Sequence, residues 1–232
     1  MPTNYHKIVL TVFLILISSI NYSQSFELDE YDSRYGLILG TTNYITKTDA
    51  LFSKSSPGYS IGVVGTTVLS DKFELLYEIN YSANFVKFVG RKEPEAAPED
   101  IKFELDKINL PILINYTFLN IDDTWRFGIE TGPSLSFLHN YILKDESKSD
   151  YYLEPLYTDP YLLEFDSNNE EISFNVFLAT GLTADYLQLR ANLRYYYGLT
   201  DPYRQAPFYS PVMDIKGKDS YFTFTLAYFW GN

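Results

Sequence analysis

Two histidines, no cysteine and a scatter of serines and carboxylates are all this chain offers for covalent or metal chemistry. His6 sits beside Lys7 ahead of an apolar run, which leaves His139 as the imidazole available to the body of the chain. An acyl-transfer centre needs a nucleophile within reach of such a base. Ser134 and Ser136 are close in sequence, but on an extended segment they face away from His139, because side chains alternate between faces. They cannot pair as neighbours, and His139 reads as an interfacial polar residue beside Tyr141. No catalytic residue is assigned. Asp166, Glu170 and Glu171, with Asp145, Glu146 and Asp150, supply oxygens. Calcium, however, wants six to eight of them around a defined turn, and neither the EF-hand spacing nor its central glycine is present. These acids read as a solvated loop face, with no metal and no cofactor. The remaining chemistry is electrostatic: Glu74, Glu78 and Glu130 against Arg126, Arg190 and Arg194, each preceded by an apolar or aromatic residue.

Residues 187–197 show what positions these charges. Leu187, Leu189, Ala191, Leu193, Tyr195 and Tyr197 alternate with Gln188, Arg190, Asn192 and Arg194. Period-2 alternation dictates a strand with one oily and one charged face. Phe73, Leu75, Tyr77, Ile79 and Tyr81 likewise oppose Glu74, Glu78, Asn80 and Ser82, and Trp125, Phe127 and Ile129 oppose Arg126, Gly128 and Glu130. A soluble barrel would keep its apolar face inside. Turned inside out, the pattern describes a transmembrane barrel with lipid against the oily face. Three lumenal acids then answer three bases, where one unpaired charge would cost several kcal/mol. Eight strands enclose only enough room for side chains, so the network reads as structural filling and a porin is disfavoured.

Strands are expected at 35–45, 59–69, 73–89, 101–118, 125–142, 171–182, 187–199 and 220–230. The fold class is therefore all-β, an eight-stranded antiparallel up-and-down transmembrane barrel. Connections 70–72, 119–124 and 183–186 are short, while 46–57, 90–100, 143–170 and 200–219 are long. Short periplasmic turns and long extracellular loops are the outer-membrane pattern. Pro111 and Pro133 each delete a ladder hydrogen bond and should mark bulges. The oily parity slips between Leu105 and Ile108, which predicts a bulge or an early strand end near Asp106.

The N-terminus predicts export. His6 and Lys7, the apolar run Ile8–Ile17 and the small residues through Ser25 describe a secretory signal peptide, taken as residues 1–23. Residues 24–34 follow as an acidic periplasmic segment, and 35–232 form the barrel domain. The leader holds one lysine and no acid, so its removal takes the net charge from −12 to −13. That balance argues against nucleic acid. The 22 tyrosines and 17 phenylalanines suit aromatic girdles at two membrane surfaces.

Four fragments carry a family resemblance: Tyr35–Gly40, Ile108–Tyr116, Phe127–Leu135 and Leu193–Thr200. Together, and in order, they resemble the PorT-like outer-membrane β-barrel domain family of Bacteroidetes. The resemblance implies an eight-stranded outer-membrane barrel that tolerates Pro111 and Pro133, and it does not imply one activity. A departure lies at the C-terminus, where Trp230 is followed by Gly231 and Asn232, although Tyr228 and Trp230 keep the aromatic spacing read by assembly machinery.

A non-enzymatic role is therefore expected, structural or partner-binding, in an envelope or secretion assembly. The loops offer the recognition surface: Tyr151, Tyr152, Tyr157 and Tyr161 in 143–170, and Tyr203, Phe208 and Tyr209 in 200–219. Tyrosine is favoured at interfaces. A lid of loops packed over the barrel is the plainer reading of the same residues. A small transport or ligand-binding barrel is the alternative, and a soluble periplasmic barrel the weaker one. Expected partners are outer-membrane lipid and lipopolysaccharide, the barrel-assembly machinery, and envelope or secretion-system proteins.

Overall fold

Each run of alternation becomes a strand, and all but the one expected at 187–199, which shortens to Leu189–Gly198, are longer than their sequence signals. The computed structural model describes residues 33–49, 51–122, 124–154, 173–204, 209–210, 213–214 and 216–230. The leader and most of the acidic segment lie outside that set. The eight long strands are β1 (Ser33–Thr48), β2 (Ser53–Ser70), β3 (Phe73–Arg91), β4 (Glu99–Ile121), β5 (Trp125–Leu143), β6 (Ser173–Tyr186), β7 (Leu189–Gly198) and β8 (Gly217–Trp230). Each pairs antiparallel with the next, and β1 pairs with β8 from Tyr35↔Trp230 to Thr48↔Gly217. The sheet is therefore a closed eight-stranded barrel. Closure leaves no sheet edge, so backbone groups are satisfied without water. A two-residue strand, Tyr152–Leu153, extends the sheet beside Gly90 and Arg91 of β3.

Several boundaries move. Ser33 and Arg34 belong to β1 rather than to a preceding segment. Thr183–Tyr186, expected as a turn, continue β6, and the reversal falls at Leu187–Gln188. Asp185 opposes both Arg126 and Arg190 in register, which keeps the strand extended to that point. The reversal forces Leu187 to φ 53°, a region that disfavours a branched side chain. The expected bulges at Pro111 and Pro133 are absent. Pro111 faces Ser134 and Ile114 faces Thr131 in unbroken register, and Pro133 faces Leu178 within an unbroken β5–β6 ladder. A shift does occur beside Asp106, where Leu105↔Tyr141 gives way to Lys107↔Leu138. The extra residue lies on β5.

The slip in oily parity has a second cause. Along β4 the outward residues Ile108, Leu110, Ile112, Ile114, Tyr116 and Phe118 are apolar, but beyond them come Asp106, Glu104, Lys102 and Asp100. The inward face changes in the opposite sense, from Asn115 and Asn109 to Leu105, Phe103 and Ile101. β3 does the same, passing inward from Glu74, Glu78 and Asn80 to Val86 and Phe88. One half of the barrel is oily outside and polar inside; the other, away from the short turns, is polar outside and oily inside. Only the first half has a lipid solvent. There Ile112 is 53 % exposed, while Glu130 is 0 %. Aromatic pairs edge this belt at both ends: Phe73–Tyr116 and Trp125–Tyr186 near the short turns, Phe137–Phe174 and Tyr195–Phe222 at the far side. These are the girdles expected at two lipid–water boundaries.

Candidate functional site

The lumen is filled in layers, and the deepest are ionic. β3 and β7 lie opposite each other in an eight-membered ring and run in the same direction, so equal steps along both bring successive pairs together. Glu74 meets Arg190 (Oε2–Nη2 2.6 Å), and four residues higher Glu78 meets Arg194 through two bonds, 2.7 and 2.8 Å. Asp185 grips Arg190 at 2.5 and 2.7 Å, and Arg34 donates to Glu74 at 2.7 Å. Glu130 completes the upper layer against Arg194, with Nη2–Oε2 at 3.1 Å and a second contact from Nε. Four carboxylates (Glu74, Glu78, Glu130, Asp185) thus balance four guanidiniums (Arg34, Arg126, Arg190, Arg194).

Arg126, expected in the network, stands at its margin. Its side chain is 35 % exposed and reaches Asp185 at 3.3 Å, not the glutamates. Arg34 and Asp185 were not anticipated. For Arg34 the available signal was parity, since it is even-numbered like the anticipated members. Asp185 is odd-numbered and follows the inward parity of its own strand, shared with Asn175, Phe177, Ala179 and Thr183.

Above the ions comes a neutral polar layer. Asn109 donates to Ser82 (3.0 Å) and accepts from Ser136 (2.9 Å), and Asn80 donates to Glu78 (2.8 Å). A cavity of about 10 Å³ remains beside Arg194, among Thr42, Asn80, Ser82, Tyr196 and Thr225. That is room for about one water. Next, Lys107 is fully buried, its ammonium 4.3–4.5 Å from the ring centres of Tyr44, Phe177 and Tyr221. Cation–π attraction offsets part of its desolvation. Asp219, also buried, accepts from Tyr203 (2.7 Å) and Thr46 (3.1 Å). Leu51, Val86, Phe88, Ile101, Phe103, Leu105 and Leu153 then close the far end as an apolar plug.

The loop tyrosines divide. Tyr203, expected on a recognition surface, is 1 % exposed and hydrogen-bonds Tyr141 at 2.8 Å, so it belongs to the lumen filling. Tyr152 is exposed, whereas Tyr151 packs half-buried against the plug with its hydroxyl 3.4 Å from Glu99. Tyr157, Tyr161, Phe208 and the acids 166–171 lie outside the described residues, as do the side chains of Tyr209 and His139. Ser134 and Ser136 are both buried in the lumen. At the rim, Lys148 hydrogen-bonds Glu99 and holds its carboxyl below the usual range; Lys54 does the same for Asp100.

Residues 22–204 match the family model described as an outer membrane protein beta-barrel domain. Among solved structures, the outer membrane protein OprG from Pseudomonas aeruginosa aligns with TM-score 0.51 at 12% identity, over 87% of this chain and 97% of that one. Ail, the attachment invasion locus protein of Yersinia pestis, aligns at 0.43 and 9% identity, over 86% and 99% of the two chains. Neisserial surface protein A aligns at 0.40 and 14%, over 84% and 96%. No curated protein sequence matches the chain.

Proposed function

Since this chain belongs to the outer membrane protein β-barrel domain family, we propose that it is a non-enzymatic outer-membrane barrel that acts through its extracellular end. Its role is then structural or partner-binding, with the rim and loops as the working surface. The observation that carries this reading is the filled lumen: two ionic layers, a polar layer, the Lys107 box and an apolar plug occupy it in succession. A conducting route would have to break charge pairs that are out of reach of water, and losing one partner of such a pair costs about 3–5 kcal/mol. The finer placement within the PorT-like group, and with it a part in an envelope or secretion assembly, rests on the four sequence fragments noted above. Export by a cleaved leader belongs to the same proposal.

Planar-bilayer recording of the purified, refolded barrel tests the reading. Silence at symmetric salt is the expected result. Steady single-channel steps would overturn it in favour of a small transport barrel.

A further inference from the structure

Lys47 and Lys218 are direct cross-strand partners on the outward face of β1 and β8. Like charges in that relation destabilise a sheet, and elsewhere on the same rim most lysines are ion-paired, Lys102 resting instead over the ring of Phe85 at 4.0 Å. Lys54 and Lys87 share Asp100, Lys144 pairs with Glu104, and Lys148 pairs with Glu99. Lys47 and Lys218 form no ion pair among the described residues. Of the acids nearest in sequence, Asp219 is buried in the lumen with Tyr203 and Thr46, and Asp49 accepts from the Lys216 amide (2.9 Å). Lys218 rests over the ring of Tyr197 at 5.5 Å, which directs its ammonium along the barrel wall at the aromatic collar.

Height supplies the second argument. On β8 the outward residues Trp230, Tyr228, Leu226, Phe224 and Phe222 form the lipid belt, and Lys218 lies beyond them, twelve residues from Trp230. At about 3.3 Å per residue and a tilt of about 40°, that is roughly 30 Å along the membrane normal. An outer-membrane barrel's apolar band is about 25 Å tall. The two ammonium groups therefore stand just past the hydrocarbon, at the depth of outer-leaflet headgroup phosphates.

We propose that Lys47 and Lys218, seated above the Tyr195–Phe222 collar, form a binding site for a phosphate of an outer-leaflet glycolipid, the lipid A portion of lipopolysaccharide. The phosphate bridges the two ammonium groups and removes their repulsion, while acyl chains lie against Phe222 and Phe224. The site rests on the outer-membrane placement and is independent of whether the lumen conducts.

The test titrates detergent-solubilised full-length barrel with purified lipid A and counts bound lipid by native mass spectrometry. Saturable binding of one lipid is expected, weakened at least ten-fold in Lys47→Gln/Lys218→Gln. The control Lys54→Gln/Lys87→Gln makes the same charge change at residues already compensated by Asp100 and is expected to bind as the parent does. Dephosphorylated lipid A is expected to bind at least ten-fold more weakly, and inorganic phosphate at millimolar concentration not to compete. Unchanged binding in the first variant, equal loss in the control, or displacement by inorganic phosphate would each overturn the proposal. Unboiled gel mobility establishes that both variants are folded barrels, which is expected because the substitutions are exposed and the first relieves a repulsion.

Discussion

Replacing Arg194 by leucine removes one cation and strands two acids. Arg194 donates two bonds to Glu78 and further bonds to Glu130, and the side chains are 1%, 0% and 0% exposed. A hydrogen bond to a charged group contributes about 1.5–3 kcal/mol, and breaking a buried pair from one side costs about 3–5 kcal/mol. Because two carboxylates lose their partner together, Arg194→Leu should destabilise the barrel by about 5 kcal/mol. The triple variant Arg194→Leu/Glu78→Gln/Glu130→Gln removes all three charges and should recover all but about 1–2 kcal/mol, since neutral replacements of whole buried ion clusters are often tolerated. Urea unfolding in lipid vesicles at neutral pH, followed by the emission of Trp125 and Trp230, measures both, with unboiled gel mobility as a second readout. A single variant within about 1 kcal/mol of the parent, or a triple no better than the single, would refute the claim that these charges neutralise one another.

Tyr203→Phe removes the hydroxyl shared with Asp219 and Tyr141, and urea midpoints should show a loss of about 1–3 kcal/mol. Leu187→Gly relieves a left-handed backbone, so unfolding should report a gain of up to about 1 kcal/mol; a loss would show that the turn is not strained. Ile112→Lys faces lipid and should cost about 2–4 kcal/mol in vesicles, whereas Lys102→Gln, outward on the same strand but above the belt, should change stability by no more than about 0.5 kcal/mol. Glu99 has a lowered pKa through Lys148, so its contact is fully present above the ordinary carboxylate value of about 4.3 and is lost as pH falls through the folded value. The Tyr151 ring resonances should shift across that acid window, and Glu99→Gln should abolish the shift.

How much of this was legible in the chain depended on range. The alternation of Phe73–Ser82 or Leu189–Tyr197 is a local signal, and it carried strand identity, the oily outward face and the inward charges. Partner choice is not local: Glu74–Arg190 and Glu78–Arg194 are each separated by 116 positions, and only the stagger of a closed barrel brings them level. Arg34 was hidden for a different reason. It follows an acidic stretch that looks like a tether, so its even parity carried little weight beside its neighbours. Tyr203 looked like an exposed loop aromatic because nothing near it in sequence announces that Asp219, Thr46 and Tyr141 converge on its hydroxyl. The reversal of polarity along β3 and β4 was visible at Leu105–Ile108 as a phase slip. Its meaning required knowing that the solvent outside the strand changes there from lipid to water.

That reversal also bears on how long the barrel stays where it is put. Once inserted, its outer wall carries Lys54, Lys87 and Lys102, and Lys144 just past β5 beside Glu104, beyond the far membrane surface. Withdrawing the barrel toward the periplasm would drag these lysines through hydrocarbon at about 2–4 kcal/mol each near the midplane, a toll on the order of 10 kcal/mol before any strand unpairs. The collar of charge therefore works as a barb. It makes residence in the membrane a matter of escape rate rather than of equilibrium, and it requires that the way in be shielded from lipid, since the same four lysines had to cross once already.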